Sequence, residues 1–283
     1  LLVLENGVYG ERIHRIADIH GIAVEAQHHE WGQALDLAAV EARLADPTRP
    51  RITHVAVVHH ETTTGRLNPL AAITRLCARH DVAVLADTVS SFGGEDIDYG
   101  SPALVATAAT ANKCLHGVPG LAFVAVRRAA LVKAETRSLY FDLANWCAKQ
   151  DADGTPFTPP VQAFYGLREA LRELEDGGGV SARHAHYQAL ADQVTRGLAQ
   201  LGIGCHLPVA ESSVVLRSYR LPDGVRYAAL HDALKQAGFV IYAGQGGLQA
   251  HIFRISTMGA VTRADVMRLL EAVQAFLEQS AKD

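Results

Sequence analysis

Asp87 follows the apolar run Val82–Ala86, and Lys113 follows the apolar run Leu104–Ala108 within Thr110-Ala111-Asn112-Lys113. If both runs are parallel strands, an acid and an amine project from the carboxyl ends of one sheet, which is where ligands sit in open α/β folds. A lysine amine condenses with an aldehyde to a Schiff base. An acid beside a heteroaromatic ring keeps the ring nitrogen protonated, and the ring then draws electrons from a carbanion formed next to it. One acid and one amine on the same rim match what pyridoxal phosphate needs. The same pair also reads as a plain ion pair, or as a lysine without a role, so wider context has to decide.

Other polar clusters carry less. His28-His29-Glu30 and His59-His60-Glu61 contain metal-ligand residue types. Neighbouring residues on a strand point to opposite faces, so adjacent histidines seldom chelate one ion; no metal site is expected and His60 is given no role. Gly177-Gly178-Gly179 follows a helical stretch rather than a strand, which marks a helix end and not a phosphate loop. Thr62-Thr63-Thr64 could be an ordinary turn. Thr158, ahead of two prolines, could simply shape a loop. Arg254 falls in the apolar run Ile252–Ser256. A buried arginine needs an acidic partner, and a substrate anion would serve.

The elements that must hold these residues are read from apolar periodicity. Strands are expected at Leu1–Leu4, Ile22–Ala26, Thr53–His59, Val82–Ala86, Leu104–Ala108 and Leu121–Val126. Helices are expected at Tyr9–His20 and Leu37–Leu44, and from Asn68 as N-cap and Pro69 as first residue to about Arg79. The alternation predicts an α/β fold, and the continuous apolar runs suit strands of a mainly parallel sheet with helices on both faces. A polar, proline-containing break covers 151–160. Beyond it come helices at Val161–Glu175 and Ala182–Leu201, a strand near Val214–Ser218, a helix at Arg226–Ala237, strands at Phe239–Tyr242 and Ile252–Ser256, and a helix from Arg263. This divides the chain into a large domain over 1–160 and a helix plus smaller α+β domain over 161–283.

Composition bounds the function classes. The 283 residues are 49% hydrophobic and 20% charged, with a net charge of -4, and the sequence pI is about 6.4. No clustered basic footprint for nucleic acid is present. Cys77, Cys114, Cys147 and Cys205 form no CxxC pair, which argues against a disulfide framework or a zinc ribbon and suits reduced thiols in the cytoplasm. No apolar run reaches the length of a membrane span.

Three segments bring a resemblance. His60-Glu61-Thr62-Thr63-Thr64-Gly65, Asp87-Thr88-Val89-Ser90-Ser91-Phe92-Gly93-Gly94 and Ala111-Asn112-Lys113-Cys114-Leu115-His116-Gly117-Val118-Pro119-Gly120 resemble motifs of the 2-aminoethylphosphonate–pyruvate transaminases, class V aminotransferases of fold type I. Asn6-Gly7-Val8-Tyr9-Gly10-Glu11-Arg12, Phe157-Thr158-Pro159-Pro160 and Phe253-Arg254-Ile255 continue the likeness in order, over nearly the whole chain.

The resemblance implies a PLP-dependent transferase that passes an amino group from 2-aminoethylphosphonate to pyruvate, giving phosphonoacetaldehyde and alanine in a ping-pong reaction. It implies Lys113 as the Schiff-base lysine and proton carrier, and Asp87 as partner of the pyridinium. Val89 would pack on the ring, Thr62 would hydrogen-bond the phenolic oxygen, and Arg254 would clamp an acidic substrate group. Thr158 would reach the cofactor phosphate of a neighbouring subunit, so a homodimer with shared sites is implied. Two rivals remain at this level: a related alanine–glyoxylate or serine–pyruvate transaminase, and a catalytically inactive relic or interaction subunit. Leu1-Leu2-Val3-Leu4 reads as a strand already in progress, from which an absent N-terminal segment is expected. In this family that segment would carry the phosphate loop and a ring-stacking aromatic.

Overall fold

The structure, a computed structural model, describes residues 1–131 and 136–280. Strand β1 (Leu2–Glu5) is buried along its whole length, as an inner strand covered on both faces must be. It pairs in parallel with β2 (Glu25–His28) and β3 (His54–Val58). Beyond β3 come β6 (Ala83–Asp87) and β7 (Leu104–Thr110), also parallel, and then β8 (Ala122–Val126), which runs antiparallel to β7. The order is β2-β1-β3-β6-β7-β8. Helix α1 (Val8–Ile19) lies along β1 and β3. Helices α2 (Leu37–Ala45) and α3 (Leu70–Arg79) bury Val40, Ile73 and Leu76 against Leu2, Leu4, Val55, Val57 and Val84.

A short antiparallel ribbon, β4 (His60–Glu61) with β5 (Arg66–Leu67), leaves the end of β3. After α4 (Leu143–Asp151) and α5 (Val161–Asp176), the long α6 (Gly179–Gln200) leads into a second sheet. Its order is β10 (Tyr242–Ala243), β11 (Ile252–Ser256), β9 (Leu216–Arg220). There α6, α7 (Tyr227–Gln236) and α8 (Arg263–Ser280) close a separate core around Leu190, Leu198, Leu230, Phe253 and Val273. A small third cluster of Cys114, Tyr187, Val214 and Val215 bridges the two.

Several boundaries differ from expectation, each for a local reason. β2 starts at Glu25 rather than Ile22, since its register is set by pairing with β1, and Ile22 is left exposed in the preceding turn. Asn68 is not the N-cap of α3. Its Nδ2 donates to Val58 O at 2.8 Å and to Asn6 Oδ1 at 3.2 Å, so Pro69 takes the cap position. β9 begins at Leu216, two residues late, because the amides of Val214 and Val215 donate to Glu95 and to Ser213 Oγ. The expected strand at Phe239–Tyr242 shrinks to Tyr242–Ala243, as Phe239 N closes the end of α7 on Leu234 O at 2.8 Å. Gly177 does end α5, but α6 starts already at Gly179. Helix α4 was not anticipated; Asp142 caps it by accepting from Asn145 N at 3.0 Å. Finally, β8 is an exposed edge strand rather than one buried on both faces.

Glu61 fixes how α1 meets the ribbon. Its Oε2 accepts from the N–H groups of Tyr9 at 3.1 Å and Gly10 at 3.3 Å, and its Oε1 accepts from Thr63 Oγ1 at 2.6 Å. A carboxylate at a helix N-terminus satisfies donors that have no partner within the helix. A Cβ on Gly7 would come within 2.4 Å of Glu61 Cδ, so no larger residue fits there. Glu61→Ala is expected to lower the unfolding free energy by about 2 kcal/mol, the combined loss of a cap and of buried hydrogen bonds. Urea denaturation measures it, and a change below about 0.5 kcal/mol would contradict this account.

Candidate active site

Asp87 closes β6, in register with Val58 of β3 and Ala108 of β7. Its Oδ1 accepts from Val89 N at 2.9 Å, and Thr88 Oγ1 donates to Ala108 O at 2.9 Å. These bonds turn the chain sharply and place Val89 half-buried beside the acid. Burial pushes the Asp87 carboxyl above the usual carboxylate range, opposed by the Val89 amide and by the charge of Arg12. No side chain among the described residues forms an ion pair with it. A cationic N–H brought to this acid would relieve the desolvation.

Lys113 lies on the loop that leaves β7. Ala111 N donates to Leu121 O at 3.1 Å, Gly117 N to Ala111 O at 2.8 Å and His116 N to Lys113 O at 2.9 Å. His116 holds a left-handed backbone at φ 62°, which suits so tight a return. From α6, Arg183 Nη1 donates to Cys114 O at 2.6 Å. A Cβ on Gly94 would lie 2.8 Å from Cys114 Sγ and 3.0 Å from Val215 Cγ2, so a side chain there would displace the neighbour of Lys113. The lysine side chain is half-buried and makes no hydrogen bond or ion pair with the described residues. In particular it does not pair with Asp87, which removes the plain ion-pair reading.

The threonine turn joins β4 to β5. Gly65 N donates to Glu61 O at 2.9 Å, and Gly65 has φ 86° with its Cβ position 2.8 Å from Leu216 O, so glycine is required there. Arg254, at the centre of β11, sends Nη1 to Thr62 O at 2.7 Å and Nε to Ala243 O at 2.9 Å. Among the described residues it faces no carboxylate at ion-pair distance. Burial lowers its affinity for its proton, while Tyr9, Tyr227, Glu61 and Tyr242 act the other way. Two further links fasten the turn to the C-terminal half: Arg66 Nη2 to Glu211 Oε2 at 2.5 Å, and Ser213 N to Gly65 O at 2.9 Å.

Asp87, Val89, Lys113, Thr62 and Arg254 thus lie on loops and strands that are bonded to one another. Thr158 does not join them. It is exposed on the loop before α5, next in the chain to Phe157, whose ring clusters with those of Tyr140 and Trp146. Three residues without an assigned role also belong to this region. Tyr9 lies near Arg254, and the guanidinium of Arg12 lies 4.7 Å from the Tyr9 ring while its charge reaches Asp87. His60 is buried under the turn. The Asn6–Arg12 segment was noticed as a motif, but only the position of α1 shows what it faces.

Comparison with known proteins agrees with this geometry. The family model described as Aminotransferase class-V matches residues 8–269. The 2-aminoethylphosphonate–pyruvate transaminase of Aeromonas hydrophila is 40% identical over 96% of this chain and 73% of its own length. That of Vibrio cholerae is 39% identical over 97% and 76%. Among solved structures, the alanine–glyoxylate aminotransferase of Nostoc sp. superposes with a TM-score of 0.89 at 25% identity, over 98% of this chain and 74% of that one. The pyridoxamine–pyruvate aminotransferase of Mesorhizobium loti gives 0.88 at 28%, over 100% and 74%. With its mainly parallel sheet, its strand-end acid and its unpaired lysine, the chain belongs to the class-V aminotransferases.

Proposed function

We propose that this chain transfers the amino group of 2-aminoethylphosphonate to pyruvate, using pyridoxal phosphate bound at Lys113 and Asp87. The observation that carries the reading is an amine on the loop after β7 and a half-buried acid at the end of the neighbouring strand β6, neither of them in an ion pair among the described residues. The cofactor fits these residues, since its ring nitrogen answers the acid and its carbonyl answers the amine. Thr62 and Val89 complete the proposed contacts to this chain's cofactor, Thr158 is proposed to reach the cofactor phosphate of a neighbouring subunit, and Arg254 is the proposed substrate anchor.

When bound, pyridoxal phosphate supplies the carbonyl that takes up the amino group and the ring that draws off electrons. Asp87 holds a proton at the ring nitrogen. With the cofactor bound, Lys113 Nζ would take the proton from the amino-bearing carbon and return it two atoms along, on the carbon beyond the nitrogen. Arg254 binds the phosphonate of the donor and then the carboxylate of pyruvate, so one guanidinium serves both halves of the reaction.

The proposed division is a cofactor domain over 1–160 and a helix with small domain over 161–283. The proposed assembly is a cytoplasmic homodimer. The exposed Leu139, Phe141 and Tyr165 around the loop of Thr158 support it, because apolar surface of that extent is seldom left in water. Among the described residues no helix is long and apolar enough to cross a membrane.

Amino-donor comparison on the PLP-loaded protein tests the reading. 2-Aminoethylphosphonate with pyruvate is expected to turn over at least about tenfold better, in kcat/KM, than alanine with glyoxylate or serine with pyruvate; tenfold is about 1.4 kcal/mol of transition-state preference. The reverse order would move the assignment to another class-V transaminase. Absence of any visible PLP band in the folded protein would favour a non-catalytic role.

A further inference from the structure

His60 is used by no step above, yet it lies inside the site. It is 1% exposed, and its Nδ1 is 3.2 Å from Ser90 O. A carbonyl only accepts, so Nδ1 carries the hydrogen and Nε2 is left as a bare acceptor. That Nε2 is fully buried and has no hydrogen-bond partner among the described residues. Such atoms are rare in folded proteins and call for an explanation. Burial pushes the His60 pKa down to about 4, so the imidazole is neutral near pH 7 and the lone pair of Nε2 stays available.

The surroundings say what could reach it. Ser90 O also receives Cys114 Sγ at 3.5 Å, and Ser90 Oγ donates to His60 O at 3.0 Å. His60 therefore shares a carbonyl with the residue next to Lys113, and the charge of Lys113 bears on the imidazole. The other ionisable groups nearby, His59, Glu61 and Cys114, already have partners in Ser91, in the end of α1 and in Ser90. An acceptor without a donor and an amine without an acceptor remain among the described residues, together with the buried, unbonded hydroxyls of Thr64 and Thr110.

We propose that His60 is a positioning residue for Lys113: the two are not bonded in this structure, and a rotation of the free lysine side chain brings Nζ to donate to His60 Nε2. This rests on the reading of Lys113 as the cofactor lysine. A neutral acceptor holds the freed amine in place without neutralising it. A carboxylate there would trap it as an ammonium ion.

Two substitutions separate this role from a structural one. His60→Asn keeps an amide near Nδ1 for Ser90 O and removes the acceptor at Nε2. His60→Gln reaches the Nε2 position and gives up the bond to Ser90. In cofactor-free protein, acylation of Lys113 by acetic anhydride is followed by mass spectrometry at a fixed, mildly alkaline pH. His60→Asn is expected to label about tenfold faster than the parent, as an amine does on losing one charge-assisted hydrogen bond. His60→Gln is expected to stay within about twofold. Equal rates in all three, or the opposite order, would overturn the proposal. Nitrogen-15 NMR decides independently of either variant: Lys113→Met is expected to move the His60 Nε2 resonance, and an unmoved resonance means that a buried water or nothing occupies the acceptor. Neither measurement needs the cofactor. A parent that never forms the PLP band sinks the reading of the site, whereas unchanged labelling sinks only the role of His60.

Discussion

Lys113→Ala is expected to lower kcat by at least about 10³–10⁴-fold and to abolish the near-violet absorbance of the PLP-loaded protein. The factor combines loss of the proton carrier, which alone is worth about 10²–10⁴, with loss of the group that primes the cofactor for exchange. Fold should be unaffected, since the side chain is half-buried and bonded to nothing among the described residues. Single-turnover mixing with 2-aminoethylphosphonate, followed by absorbance, makes the measurement. Circular dichroism checks that the variant is folded. A variant that kept the visible band, or more than about a tenth of the parental rate, would show that another group carries the proton.

Arg254→Ala is expected to reduce kcat/KM for 2-aminoethylphosphonate by about 10²–10³-fold, most of it in KM. A charge-assisted, desolvated contact to an anion is worth about 3–4 kcal/mol when one partner is removed. The KM for pyruvate should rise as well, because the same guanidinium receives its carboxylate. Arg254→Lys should recover little. The arginine fork binds Ala243 O through Nε and Thr62 O through Nη1; an ammonium cannot reproduce that fixed geometry. Unchanged KM values in the alanine variant would place the anion elsewhere, with Arg12 the next cation to test.

Much of this site was legible because its residues stand at the ends of apolar runs. Asp87 closes the strand announced by Val82–Ala86, Lys113 lies on the loop after the strand announced by Leu104–Ala108, and Arg254 stands within the largely apolar strand Ile252–Ser256. What could not be read depends on partners distant in sequence. The start of β9 is set by Glu95, more than a hundred residues earlier, and that of α3 by Asn6 across the sheet. The vacancy at His60 Nε2 is a property of its neighbours, and no pattern in the chain announces it. Helix α4 has weak periodicity and sits next to a proline-containing break, so the pattern assigns it no element. Tyr9 and Arg12 were visible as a motif, but their proximity to Arg254 and Asp87 follows only from the way Glu61 seats α1.

The C-terminal half grips the threonine turn by main-chain atoms: Arg254 holds Thr62 O, and Ser213 N holds Gly65 O. Such a grip is blind to side-chain identity. Residue 62 can therefore be exchanged for serine or alanine without loosening the attachment, while Gly65 cannot vary. A change of side chain at residue 62 therefore acts on what the turn presents to the site, and leaves the contact between the halves as it is.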